Sequence, residues 1–166
     1  MRRLSLVLSG TIVLALLASS VASAEAPTRI PWPTESFTVD ASICGFAVDV
    51  TVVSQNETLT IFSDGSVILT GTLKLAFSNT VTGTTITRNV SGPVFVRPNA
   101  DGSGTETLTG PSFLAFAAGD LGAGSAPMLA YTTGPVVLQF DSFVGGHIVG
   151  YSHTSGSTED LCETLA

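Results

Sequence analysis

Positive charge is what this chain has least of. Its 166 residues hold six lysines and arginines against 13 aspartates and glutamates, a formal net charge of −7 at pH 7. A surface so short of cations cannot neutralise a run of phosphates, which excludes nucleic acid as a partner and disfavours anionic membrane surfaces. Histidine is nearly absent as well. His147 and His153 fall on one predicted strand, about 20 Å apart by strand rise, too far to share a metal ion. Cysteine is limited to Cys44 and Cys162, which leaves no C-x-x-C pattern for zinc or redox chemistry. Helical periodicity is missing from residue 25 onward, apart from the last few residues around Cys162. Two short motifs fail on inspection. Gly119 to Gly124 lacks the lysine of a phosphate loop, and Gly150, Tyr151, Ser152 and His153 are followed by Thr154, where a nucleophile elbow needs glycine. No cofactor, metal or catalytic residue is therefore expected.

What is present begins with Met1, Arg2 and Arg3, an apolar run from Leu4 to Leu17, and small residues ending at Ala22, Ser23 and Ala24. This is the pattern of a secretory signal peptide over residues 1–24. A membrane anchor fits less well, because a spanning helix needs about 20 apolar residues and Ser9 and Gly10 interrupt a shorter stretch. Removal of residues 1–24 takes two of the six basic residues and no acidic one, leaving Arg29, Lys74, Arg88 and Arg97. The expectation is a secreted protein with no membrane span after cleavage. Roughly 140 residues remain, enough for one domain with its own core. In an oxidising compartment a Cys44–Cys162 disulfide is the simplest use of the two cysteines.

Residues 25–38 are rich in proline, with Pro27, Pro31 and Pro33 around the single tryptophan, Trp32. They predict an extended arm pinned by Trp32 packing on the domain, which then occupies residues 39–166. From Val48 the period is two. Val48, Val50 and Val52 alternate with polar residues, and after Gln55 and Asn56, read as a turn, Leu59 and Ile61 resume the pattern. Asp64 and Gly65 predict a hairpin. Val67, Leu69, Leu73, Leu75 and Phe77 then share one parity, with Gly71 interrupting the row where a bend or bulge belongs. Shorter runs follow at 84–91, 94–97, 105–109, 113–116, 128–132, 136–141 and 147–153. About eight to ten strands joined by short turns predict an all-β, antiparallel up-and-down or nearly closed barrel, with a β-sandwich as the alternative.

Cys44, Gly45 and Phe46 leading into a Val-rich strand, an Asp101, Gly102, Ser103 turn, and a terminal Asp160, Leu161, Cys162 resemble a group of small exported actinobacterial β-rich proteins of unassigned function. The resemblance spans most of residues 37–166. It implies export and the disulfide, and carries no functional residue with it.

The inward row Val67, Leu69, Leu73, Leu75 and Phe77 is the candidate ligand-binding surface. A cavity above about 300 Å³ along it would suit a small apolar molecule bound without catalysis. An alternative is an interaction or inhibitor module meeting an extracellular protein through the Trp32 arm or the 119–127 loop. A third is a barrel-type cyclase or isomerase, which requires His147 or Asp141 to converge with Tyr131 or Tyr151 in a pocket. Glu159, Asp160 and Glu163 read as solvated charge.

Overall fold

The computed structural model describes residues 25–166, and the signal peptide expected at residues 1–24 lies outside them. The alternating segments from Val48 form one long hairpin of β3 (Val48–Ile61) and β4 (Val67–Asn79). Its turn is set as Asp64 and Gly65 predict, with Gly65 at φ 81° and the Asp64 carboxylate accepting from the Ser66 N–H at 2.9 Å. Gln55 and Asn56 are not a turn. They pair with Leu73 and Thr72, and the ladder slips instead between Val52 and Ser54, where Val53 has no register partner. This bulge explains the change of parity in the sequence: even-numbered Val48, Val50 and Val52 share a face with odd-numbered Glu57, Leu59 and Ile61. Gly71 lies opposite Glu57 at φ 142°, and a Cβ there would fall 2.1 Å from the Asn56 carbonyl oxygen.

The remaining strands are β1 (Thr28–Pro31), β2 (Phe37–Val39), β5 (Thr85–Asn89), β6 (Val94–Pro98), β7 (Gly104–Leu108), β8 (Ser112–Phe116), β9 (Met128–Thr132), β10 (Val136–Phe140), β11 (Ile148–His153) and β12 (Thr158–Asp160). Each is too short to cover the whole hairpin. On the outer edge of β3, β2 takes Val48–Val50 and β1 takes Thr58–Ile61. On the outer edge of β4, β5 takes Lys74–Ser78 and β6 takes Val67–Leu69. Beyond β6 the sheet runs on through β7, β10 and β11. Serine hydroxyls serve the uncovered middle of each edge: Ser36 Oγ accepts from the Val52 N–H at 3.0 Å, and Ser91 Oγ from the Leu73 N–H at 2.8 Å.

A second sheet, β12–β9–β8, packs on both wings of the first. Leu114 and Phe116 point to one core with Leu108, Val136 and Leu138. Leu129, and Phe113 at the margin, point to the other, built on Val48, Val50, Leu75 and Phe77. The expected barrel is therefore corrected to an open, layered antiparallel β fold. Its large sheet ends at β1 and β11, which do not pair, because β8 and β9 bond to each other, and β9 to β12, instead of continuing the hairpin series from β7 to β10. The twelve strands among the described residues also exceed the expected eight to ten.

Two one-turn helices close the first core: α1 (Ala41–Cys44) and α2 (Leu161–Leu165). Asp40 caps α1 through the Ser42 N–H, and Gly45, at φ 80°, ends it. Asp160 caps α2 through the N–H groups of Cys162 and Glu163. The Cys44–Cys162 disulfide joins them with Cα atoms 5.1 Å apart across 118 residues of sequence. Leu161 and Leu165 are wholly buried, about 1.5–3 kcal/mol of apolar burial each. Asn79, also buried, donates its Nδ2 to the Leu165 carbonyl while its Oδ1 accepts from the N–H groups of Val81 and Thr82. No helix among the described residues is long and apolar enough to cross a membrane.

Replacing both cysteines by serine is expected to cost about 4–5 kcal/mol by loop-closure entropy, read as a lower denaturant midpoint. Gly71→Ala is expected to cost more than about 1 kcal/mol through its positive φ and the Asn56 carbonyl, measured the same way.

Candidate functional site

The middle of the hairpin, where neither pair of flanking strands reaches, is also where the two cores part. Side chains directly opposite across antiparallel strands share a face, so Leu69, Val94 and Leu108 form one inward row across β4, β6 and β7. Together with Leu73, Leu75, Val90 and Phe113 they line a cleft of about 180 Å³, bordered by Thr34, Phe37 and Glu57. Three of the five predicted ligand-binding residues, Leu69, Leu73 and Leu75, meet here. Val67 stands one row further out, opposite Val96 and half-buried. Phe77 is fully buried, its ring 5.1 Å from that of Phe113, and belongs to the core. Val90, Val94, Leu108 and Phe113 escaped the sequence reading because parity shows which face a residue takes and not which strands become neighbours.

The arm forms one wall of this cleft. Its residues 32–36 leave the ladder beside the bulge, so side chains replace the missing strand bonds. Thr34 donates its N–H to Gln55 Oε1 at 2.6 Å and its Oγ1–H to Glu57 Oε2 at 2.7 Å, and the Trp32 N–H donates to the Glu57 carbonyl at 3.0 Å. Trp32 does not pin the arm by burial. Its side chain is 46 % exposed and lines a second hollow of about 260 Å³ with Pro31, Pro33, Gln55, Asn56 and Glu57. Glu57 is common to both hollows.

One row beyond Leu108 a second carboxylate stands on the same face. Ile61, Val67, Val96, Glu106, Leu138 and Tyr151 are successive cross-strand neighbours, so Glu106 is flanked by Val96 and Leu138. It has no hydrogen-bond donor among the described residues, and burial pushes its carboxyl above the usual glutamate range. Glu159 goes the other way. Arg88 reaches from β5 to β12 and grips it with both Nε and Nη2, at 2.8 and 2.5 Å, which holds that carboxyl low.

Elsewhere the polar groups do not converge. His147 is exposed and lies 3.5 Å from Asp141, beside a hollow that includes Asp120. Tyr151 packs edge-on against Phe116, and Tyr131 lies under the Arg88 guanidinium. The constellation a cyclase or isomerase would require is thus dispersed. His153 is hydrogen-bonded at both ring nitrogens, to the Thr133 carbonyl and the Thr158 hydroxyl. No three His, Cys, Asp or Glu side chains gather as a metal site among the described residues. A broader hollow of about 490 Å³ over Phe95, Arg97, Asn99, Thr105 and Thr107 takes its whole lining from β6, β7 and their turn, so it lacks an opposing wall.

Glu106→Gln is expected to raise the unfolding midpoint at pH 7. The folded chain holds this carboxyl above its ordinary 4.5, so the folded state takes up the proton first and the gap between variant and parent closes as pH falls toward 4.5. Glu159, held below 4.5 by Arg88, stabilises above that value and loses its contribution as pH falls through its depressed range. Thermal melts of both proteins across this pH range check both signs. Comparison with protein families, curated proteins and solved structures returns no match to this chain, so what its surfaces bind has to be argued from their own chemistry.

Proposed function

We propose that the mature chain is a secreted, non-enzymatic binding protein that takes one apolar group of a small molecule into the cleft between its two cores. The observation that carries this is the cleft itself. It is a gap walled mainly by leucine, valine and phenylalanine, with Thr34, Glu57, Gly92 and Ser112 along its border, in a molecule whose other apolar side chains mostly close on one another. At about 180 Å³ it falls short of the roughly 300 Å³ of a drug-sized site, but an apolar cavity of about 150 Å³ holds a benzene ring. A single ring or a short alkyl chain is the matching size. Secretion is supported by the disulfide and by the charged, apolar and small-residue order of residues 1–24. The end motifs that resemble those of exported actinobacterial proteins are scaffold parts, the bridged Cys44 and Cys162 with Gly45 ending one helix and Asp160 capping the other, and bear no chemistry of their own.

Titration with benzene, followed by methyl NMR, is expected to shift Leu69, Leu73, Leu75 and Leu108 and to leave Leu161 and Leu165 unmoved. Val94→Phe, which fills the cleft, is expected to weaken binding by about tenfold or more, the scale of losing one buried apolar contact. Shifts spread evenly over all the leucines would refute the reading.

A further inference from the structure

The four basic residues of the mature chain are distributed unevenly about this cleft. Arg29 lies opposite Thr60, Lys74 opposite Ser54 and Arg97 opposite Thr105, all three on the sheet face turned away from the Leu69, Val94, Leu108 row. Arg88 alone shares the inward face, and it is committed to Glu159. On the cleft side stand two carboxylates. Glu57 lines the cleft directly, and Glu106 is two residues along β7 from Leu108, about 7 Å by strand rise. Glu57 uses Oε2 for the Thr34 hydroxyl, and its Oε1 has no protein donor among the described residues. The exposed indole of Trp32 shares the adjoining hollow with it.

We infer that the ligand is a small organic cation, whose apolar group fills the cleft while its ammonium pairs with Glu57 beside the face of Trp32. An anion entering here would meet the Glu57 carboxylate, with that of Glu106 one row away, and no free guanidinium or ammonium among the described residues. A purely apolar guest would leave the free Glu57 oxygen to solvent, and a neutral hydroxyl could donate to it without bringing a balancing charge. A cation supplies both a charge-assisted hydrogen bond to that oxygen and an attraction to the indole. Glu106, one row away, adds field of the same sign. This assignment rests on the cleft reading above, and its test separates the two.

The mature protein is titrated calorimetrically with hexylammonium, hexanol and hexanoate, at low and at high salt. Hexylammonium is expected to bind about tenfold or more tighter than hexanol, as a charged hydrogen bond of about 1.5–3 kcal/mol implies. Hexanoate is expected to bind weakest, with the spread narrowing as salt rises. Glu57→Gln keeps an acceptor for Thr34, so it is expected to retain hexanol binding while losing most of the preference for the cation. Trp32→Ala should lose part of it, and Glu106→Gln a smaller part. Equal binding of hexylammonium and hexanol overturns the cation assignment and leaves the cleft reading standing. A preference lost only in Glu106→Gln also overturns the pairing with Glu57. Failure of all three probes to bind removes the cleft reading and the inference together.

Discussion

The β3–β4 ladder runs from the Val48, Asn79 pair to the Ile61, Val67 pair, and its length decides what every other strand can do. The neighbouring strands have three to five residues and cannot cover 13 or 14. Each edge of the hairpin therefore receives two partners with a gap between them. From that mismatch follow two wings, two cores, a small sheet with a core on either face, and a cleft at the level of the gaps. The bulge at Val53 and the close approach at Gly71 lie in this same middle stretch, where the hairpin is free to bend because no flanking strand constrains it.

Polar satisfaction in the gap is handled by side chains. Ser36 and Ser91 stand in for absent strands, and Thr34 ties the arm to Gln55 and Glu57. These bonds set the position of Glu57 at the cleft mouth, so the site's charge is held by the same contacts that complete the sheet edge. Across the molecule the Arg88 and Glu159 pair links the large sheet to the small one. The basic residues are thus spent on the outer face or on this tie.

Much of the fold was legible in the sequence. Apolar residues of one parity from Val67 to Phe77 marked β4, Asp64 and Gly65 marked its turn, and two cysteines behind a signal-like start marked the bridge that closes the first core. The barrel was not legible as wrong. Local alternation is the same whether a strand continues a meander or leaves for a second sheet, and nothing local in Ser112–Phe116 or Met128–Thr132 says that they pair with each other and that the latter takes Thr158–Asp160 on its far side. Gln55 and Asn56 looked like a turn because both residues favour turns, although the parity change between Val52 and Leu59 pointed to a bulge. Half of the cleft was visible as one row of β4. Its other wall, from β6, β7, β8 and the arm, depended on long-range pairing.

The disulfide makes residues 44 to 162 a closed covalent loop, which holds all of the second core and all of the first but Val39 and Leu165 among the buried residues. Residues 25–43 lie outside the loop, with Val39 buried in the first core and Ile43 packed against it. β1 and β2 each pair with β3 alone, and Thr34 and Phe37 reach the cleft from that segment. Releasing this segment would break its bonds to β3, take Val39 out of the first core and part Phe37 from Phe113, yet it would leave the covalent ring closed. The segment that brings Thr34 and Phe37 to the cleft is thus held by noncovalent contacts alone, whereas the ring that carries the rest of the lining is closed by a covalent bond.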